Sequence, residues 1–290
     1  MCMNSKSSCV FVIRIITTVF IAFTMNINAT AQCANDYFKK GLTLYKEGKL
    51  LNAIENSTLA LKKDTCYGDN YLETFYAKIY YLRGISNSDL GNLEMALSDF
   101  DKSIALDQQE IQVYQERANV LEKINNLKAA IYDYDKIIEL DPNRANAYKY
   151  RGSCKRRLGI FFDAILDFTR AIEINHIDYL TYIDRGVAKL SLEDKLGAMQ
   201  DFNSAIKINP KSAISFESRG NLKCIIKDYK GAIIDCSKAI DLDSKLDLAY
   251  FFRGISRIYS GEKEKGCLDL SKAGELGHKE AYEAIKDLCK

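Results

Sequence analysis

Six times, at a spacing of 34 residues, the chain places an aromatic residue, two intervening residues, then arginine followed by a small residue. The series runs Tyr80-Arg83-Gly84, Tyr114-Arg117-Ala118, Tyr148-Arg151-Gly152, Tyr182-Arg185-Gly186, Phe216-Arg219-Gly220 and Tyr250-Arg253-Gly254. A period of this length restricts the chain to a repeat architecture, in which each unit buries its apolar face only against its neighbours. Such an array presents extended surfaces, so function is to be sought where the copies differ.

Each of the first five signatures is followed, twelve residues past the small residue, by alanine, and four residues later by an aromatic, Cys236 taking that place in the fifth. The pairs are Ala96/Phe100, Ala130/Tyr134, Ala164/Phe168, Ala198/Phe202 and Ala232/Cys236. Small and bulky residues at i and i+4 share one helix face, and turn residues near Gly91, Asn125 and Gly159 divide each unit into two helices. Pro142 and Pro210 stand two periods apart and mark the end of the second helix. An aspartate precedes the bulky residue in all six units, at Asp99, Asp133, Asp167, Asp201, Asp235 and Asp269, sixteen residues after the arginine. An antiparallel hairpin brings those two groups to similar heights. The predicted outcome is a bidentate, partly buried Arg–Asp ladder that serves construction rather than binding. An earlier stretch lacks both partners, having Lys40 and Asn56 in their places.

This pattern resembles the tetratricopeptide repeat family, whose signature is aromatic-x-x-Leu-Gly, then Ala-x-x-x-Phe, then Pro. Here Tyr stands for the family's Trp and Arg for its Leu. The resemblance implies an all-α fold, a right-handed superhelical solenoid of tandem helix-turn-helix repeats. In-phase repeats cover residues 77–276. A degenerate first copy, with Tyr37, Gly41, Gly48, Ala53 and Ala60 in register, occupies 32–66, and 67–76 reads as an insertion. Gly266 and Leu270 replace the small and aromatic residues of the last second helix. Residues 277–290, with Ala281, Ile285 and Leu288 apolar, form a capping helix expected to seal the terminal face.

Residues 1–31 differ in kind. Lys6 and Arg14 are their only charges, an apolar run extends from Ile15 to Phe23, and Ala29-Thr30-Ala31 supplies a small-residue cleavage pattern. The run is too short for a stable span, so the segment reads as a secretory signal cleaved after Ala31, with an uncleaved anchor as the alternative. The mature chain keeps 39 of the 41 basic residues against 39 acidic ones, which recommends neither nucleic acid nor an anionic membrane as partner. Export places the chain in a bacterial periplasm or cell envelope, or, alternatively, among secreted proteins. An oxidising compartment permits disulfides, and Cys267–Cys289 and Cys33–Cys66 would each pin one end of the array. Cys154, Cys224 and Cys236 occupy helix positions expected to be buried thiols.

The resemblance further implies that a peptide or protein segment lies along the concave face lined by the first helix of each repeat. Read that way, the groove is basic at Lys149, Arg156 and Arg157, with Tyr150 beside them. It is apolar at Ile183, Val187, Phe251, Phe252, Ile255 and Tyr259, and polar at Asn221. A ligand with hydrophobic anchors and a carboxylate near Arg156/Arg157 would suit it; the bland alternative is self-packing, including a homodimer. The family's carboxylate clamp is matched only at isolated positions, Asn119 and Asn221, and is not carried over. Only His176 and His278 exist, without a nucleophile or ligand partner at a recognisable spacing, and no phosphate loop or hydrolase motif occurs. The expectation is a non-catalytic interaction scaffold without cofactor or metal. A structural part of an envelope assembly and an enzyme regulator are the alternatives.

Overall fold

A computed structural model describes residues 34–62 and 69–290, apart from the side chains of 69–71. No strand occurs among them. Fifteen helices follow one another: α1 (34–46), α2 (Leu50–Lys62), α3 (Asp69–Asp89), α4 (Leu93–Leu106), α5 (Ile111–Lys123), α6 (Leu127–Leu140), α7 (Ala145–Arg157), α8 (Phe161–Ile174), α9 (Tyr179–Ser191), α10 (Lys195–Ile208), α11 (Ala213–Ile225), α12 (Tyr229–Leu242), α13 (Asp247–Tyr259), α14 (Lys263–Glu275) and α15 (Glu280–Leu288). They fall into two compact units, Met1–Lys136 and Ile137–Lys290. Within the first, α3 begins at Asp69, so most of the stretch set apart as an insertion lengthens this helix. Cys33, Cys66 and Ala31 lie outside the described residues.

The helix ends follow local chemistry. Asp178, Asp194, Ser212 and Asp228 cap α9, α10, α11 and α12 by accepting from backbone N–H groups of the first turn. α6 and α10 stop at Leu140 and Ile208, two residues before Pro142 and Pro210. The turn inside each hairpin needs a left-handed residue. Gly91, Asn125, Gly159 and Gly261 supply it at φ 84°, 60°, 77° and 90°, and Glu193 and Lys227 hold it at 63° and 66° without glycine's freedom.

Packing inside a hairpin depends on the small residue of the signature. A Cβ added to Gly186 would stand 2.6 Å from the Phe202 ring, so the absence of a side chain lets that ring fill the space between the helices. Phe100, Tyr134, Phe168 and Cys236 are fully buried at the matching place, as are Ala96, Ala130, Ala164, Ala198 and Ala232. Tyr134 keeps its hydroxyl satisfied by donating to Glu122 Oε1 at 2.7 Å.

The Arg–Asp ladder is present in all six units. In α9 and α10, Arg185 Nε donates to Asp201 Oδ2 at 3.0 Å and Nη2 to Oδ1 at 2.7 Å. The same fork joins Arg83 to Asp99, Arg117 to Asp133, Arg151 to Asp167, Arg219 to Asp235 and Arg253 to Asp269. The aspartate side chains are at most 7 % exposed. Nη1 carries a second function, since it reaches the preceding hairpin: Arg185 donates to Thr169, Arg219 to Asn203 and Arg253 to Ser237. One guanidinium therefore closes its own hairpin and stitches it to the one before. The signature aromatic lies against it, 5.3 to 5.8 Å from ring centre to guanidinium carbon. In the first hairpin Lys40 is exposed and Asn56 donates to the Asn52 carbonyl, so that hairpin has no such pair.

At the C-terminus α15 packs on α14, with Ala281 buried and the Tyr282 ring over Gly274. Cys267 and Cys289 are disulfide-bonded, with Cα atoms 5.9 Å apart. Cys154, Cys224 and Cys236 are not disulfide-bonded, and burial raises the thiols of Cys224 and Cys236, which keeps them protonated and unreactive.

Arg185→Ala is expected to destabilise the chain by about 3–5 kcal/mol, because Asp201 stays buried with only Lys189 to pair it. In a double-mutant cycle by denaturant unfolding, Arg185→Ala with Asp201→Ala should cost clearly less than the sum of the single changes; strict additivity would refute the coupling. Reduction of Cys267–Cys289 should cost about 3 kcal/mol through regained loop freedom. Amide exchange in α14 and α15 under oxidising and reducing conditions checks this, and equal protection would contradict it.

Candidate functional site

In the unit Ile137–Lys290 the first helices of successive hairpins, α7, α9, α11 and α13, pack on one another. The second helices, α8, α10, α12 and α14, have no mutual packing of comparable extent. The first-helix face is therefore the tighter, concave side. Three rows of side chains cross it at the repeat spacing. One holds Lys149, Ile183, Glu217 and Phe251; the next Ser153, Val187, Asn221 and Ile255; the third Arg156, Leu190, Cys224 and Ile258. The character alternates: polar on α7, apolar on α9, polar on α11 (thiol-bearing at Cys224), apolar on α13.

The basic end differs from the sequence-based expectation. Lys149 Nζ lies 2.8 Å from Asp178 Oδ2, and Arg156 Nη2 lies 3.6 Å from Asp184 Oδ1. Both cations are thus matched by carboxylates on or capping the next first helix, and the middle of the face is not a free basic patch. Burial opposes the charge on Asp178, but hydrogen bonds from Lys149 and Thr181 outweigh it and hold the carboxyl below its usual range. Asp184 goes the other way, raised by burial that Arg156 and Lys149 only partly offset. Arg157 and Tyr150 are exposed, with Lys149 Nζ 6.0 Å from the Tyr150 ring centre.

The apolar residues also divide. Ile183 is only 6 % exposed and packs with Phe202 and Leu222, with Val187 and Leu190 against the same cluster. Ile183 is therefore a core side chain and leaves the candidate groove, sunk between Phe202 of α10 and Leu222 of α11. Phe251, Phe252 and Ile255 are half-buried, and Tyr259 is 57 % exposed and stacked on Tyr229 at 5.2 Å. The Phe251 ring lies 4.4 Å from that of His278, so the capping segment covers part of this wall. In the other unit, Asn119 is engaged by Gln115 and Glu116. The side chain of Asn221, half-buried, has no hydrogen bond among the described residues. No group of three or more metal-ligating side chains converges among the described residues.

One position that helical register sets on this face stands out. Glu217 is half-buried on α11, and its side chain has no hydrogen bond or ion pair among the described residues. Burial, and then the Asp247 charge, push its carboxyl up to about 7. Asp247 has its own partner, since its Oδ2 lies 3.2 Å from His278 Nδ1, and His278 Nε2 lies 3.2 Å from Glu280 Oε2. No motif marks Glu217; only its place in the row, two periods after Lys149, sets it on this face.

A carboxyl raised in the folded state stabilises below its unfolded value and loses that contribution as pH rises through about 7. Glu217→Gln should therefore gain stability relative to the parent between pH 5 and pH 8, by on the order of 2–3 kcal/mol. The groups around it, Asp247, His278 and Glu280, are common to both proteins and cancel in the difference. Thermal melts across this range test it, and a pH-independent difference would count against the burial of Glu217.

The tetratricopeptide repeat family model matches residues 77–110 and 111–144, two contiguous copies in phase with the arginine signature. A comparison with curated proteins found no match. Among solved structures, a tetratricopeptide repeat protein from Parabacteroides merdae superposes over 89 % of this chain and 97 % of its own, at TM-score 0.67 and 22 % identity. Pseudomonas aeruginosa PilF matches over 74 % of this chain and 98 % of its own, at TM-score 0.62 and 13 % identity. YrrB, a repeat protein with an unusual peptide-binding site, matches over 64 % of this chain and 97 % of its own, at TM-score 0.51 and 23 % identity. With the hairpin period, the Arg–Asp construction and the paired family matches agreeing, residues 77–144 are two tetratricopeptide repeats and the described chain has the fold of tetratricopeptide repeat proteins.

Proposed function

We propose that this chain is a protein-interaction scaffold that holds a peptide segment of another protein on the concave face of the unit Ile137–Lys290. Repeat proteins of this family are generally non-catalytic scaffolds. The observation that carries the reading is that this face keeps half-buried groups with unused capacity, chiefly Asn221, Phe252 and Ile255, between helices that pack closely on one another. An extended segment would meet alternating polar and apolar side chains along the rows, which suits main-chain contact to Asn221 and side-chain anchoring on α13. YrrB offers a parallel within the same fold, since it too is described by a peptide-binding site. The Cys267–Cys289 disulfide supports a working place outside the reducing cytosol, in keeping with the signal-like first 31 residues.

A second reading draws on the opposite face. Leu166, Ile234 and Leu268 occupy one repeat position on α8, α12 and α14 and are 55 %, 68 % and 71 % exposed, and Leu196 on α10 is 81 % exposed. Such a ridge suits permanent packing in a larger assembly.

Selection of dodecamer peptides from a random phage-displayed library on the immobilised full chain separates the two. Peptides bound on the concave face should lose at least tenfold in affinity with Ile255→Glu and keep it with Leu196→Glu. Asn221→Ala serves as a second groove variant should Ile255→Glu lower the melting temperature. Binders that ignore both groove variants and fail with Leu196→Glu would transfer the function to the outer ridge.

A further inference from the structure

The unit Met1–Lys136 holds a cavity of about 320 Å³ where α3, the end of α4 and the start of α5 meet. Ala77 and Val113, both buried, give it an apolar lining. Lys78, Tyr81, Asp107, Glu110 and Gln112 bring polar groups to the same space. The side chains of Lys78, Tyr81, Glu110 and Gln112 have no hydrogen bond or ion pair among the described residues. Asp107 accepts one hydrogen bond, from the Gln109 N–H to Oδ1 at 3.1 Å, and its Oδ2 accepts none among the described residues. Burial, and then the charges of Glu116 and Glu110, raise the Tyr81 phenol, which keeps it a neutral donor. An ammonium and two carboxylates thus line one cavity without closing on one another, whereas Arg83 on the same helix is held by both oxygens of Asp99. One period on, Ile111, Gln115 and Arg144 take the places of Ala77, Tyr81 and Glu110, so this set of groups is not part of the repeat's construction.

We propose that this cavity binds a free α-amino acid with an apolar side chain, its ammonium on Asp107 and Glu110, its carboxylate on Lys78 and its side chain against Tyr81, Ala77 and Val113. Charge complementarity selects the zwitterion. A simple amine would satisfy the carboxylates but meet Lys78 as a like charge, and a simple acid would pair with Lys78 but face Asp107 and Glu110. Opposite charges joined through one α-carbon answer both. The Gln112 amide and the Tyr81 hydroxyl can donate to the ligand carboxylate beside Lys78. The volume stands at the lower end of small-ligand sites, roughly 300–1,000 Å³, which suits a ligand of amino-acid size. This cavity and the peptide groove lie in different units, and neither requires the other.

Isothermal titration calorimetry on the full chain supplies the test, repeated by saturation-transfer NMR so that a binding event of small heat is not missed. Leucine, methionine and phenylalanine are the probes, and isopentylamine and isocaproate are leucine's counterparts with one charge each. The expected result is saturable binding of at least one amino acid with a dissociation constant of about 1 mM or tighter, and binding of the amine and the acid weaker by about tenfold or more. Glu110→Gln and Lys78→Met should each weaken the amino acid by about tenfold. Lys78 is exposed and Glu110 half-buried, and neither side chain has a partner to lose, so thermal melts of both variants should match the parent. An amine that binds as tightly as its amino acid and ignores Lys78→Met overturns the inference in favour of a plain cation site. Absence of binding by all three amino acids at millimolar concentration, or binding indifferent to both variants, overturns it outright.

Discussion

The fork between a signature arginine and its aspartate is the interaction on which the other features of this chain depend. A buried carboxylate is costly unless its oxygens are satisfied, and a guanidinium answers both of them in one plane. Once Nε and Nη2 are committed to the aspartate of the same hairpin, Nη1 is left pointing at the preceding hairpin, where Thr169, Asn203 or Ser237 accepts from it. The same atom set thereby fixes the spacing of two helices within a repeat and the stagger of one repeat on the next. The small residue after the arginine and the buried ring opposite it can pack closely because that stagger is held. A leucine at the arginine position, as in the family signature, would supply packing area but no such directional constraint.

How much of this was legible in the sequence follows from the range of each interaction. The Arg–Asp pairing was readable because both groups recur at constant separation and are missing together at Lys40 and Asn56. The helix ends at Leu140 and Ile208 were readable from Pro142 and Pro210, whose rings forbid continuation. The left-handed turn positions were readable where glycine or asparagine held them. At Glu193 and Lys227 the backbone takes the same φ without any compositional sign, because tertiary packing of α9 with α10 and α11 with α12 imposes it.

The concave face was legible in outline only. Its residues were named from helical register, yet register does not show which of them meet across helices. Asp178 and Asp184 neutralise Lys149 and Arg156 through contacts some thirty residues apart whose spacing is not repeated in the other units, so no period betrayed them. Ile183 was taken for surface because register sets it in the row of Lys149 and Phe251, and register does not show how deeply a side chain sinks; Ile183 packs into the cluster of Phe202 and Leu222. Register also placed Glu217 on this face, but a glutamate on an amphipathic helix looks like a solvated charge until its burial is seen to push the carboxyl up to about 7.

These two classes of position carry different obligations, and that difference locates the function. Positions that close and stack hairpins are spent on each other in every copy, so changing them alters the array and offers a partner nothing. Positions on the concave rows are released from that duty, and there the copies diverge: Lys149 is paired within the chain, Ile183 is absorbed into the core, Phe251 is partly covered by His278. Passing along the row, internal contacts account for each of these in turn. Glu217 is the member for which they do not, since its side chain has no hydrogen bond or ion pair among the described residues and Arg219 and Lys223 are held by Asp235. Its carboxyl meets burial by holding a proton up to about pH 7, an arrangement that serves neither the closing nor the stacking of hairpins.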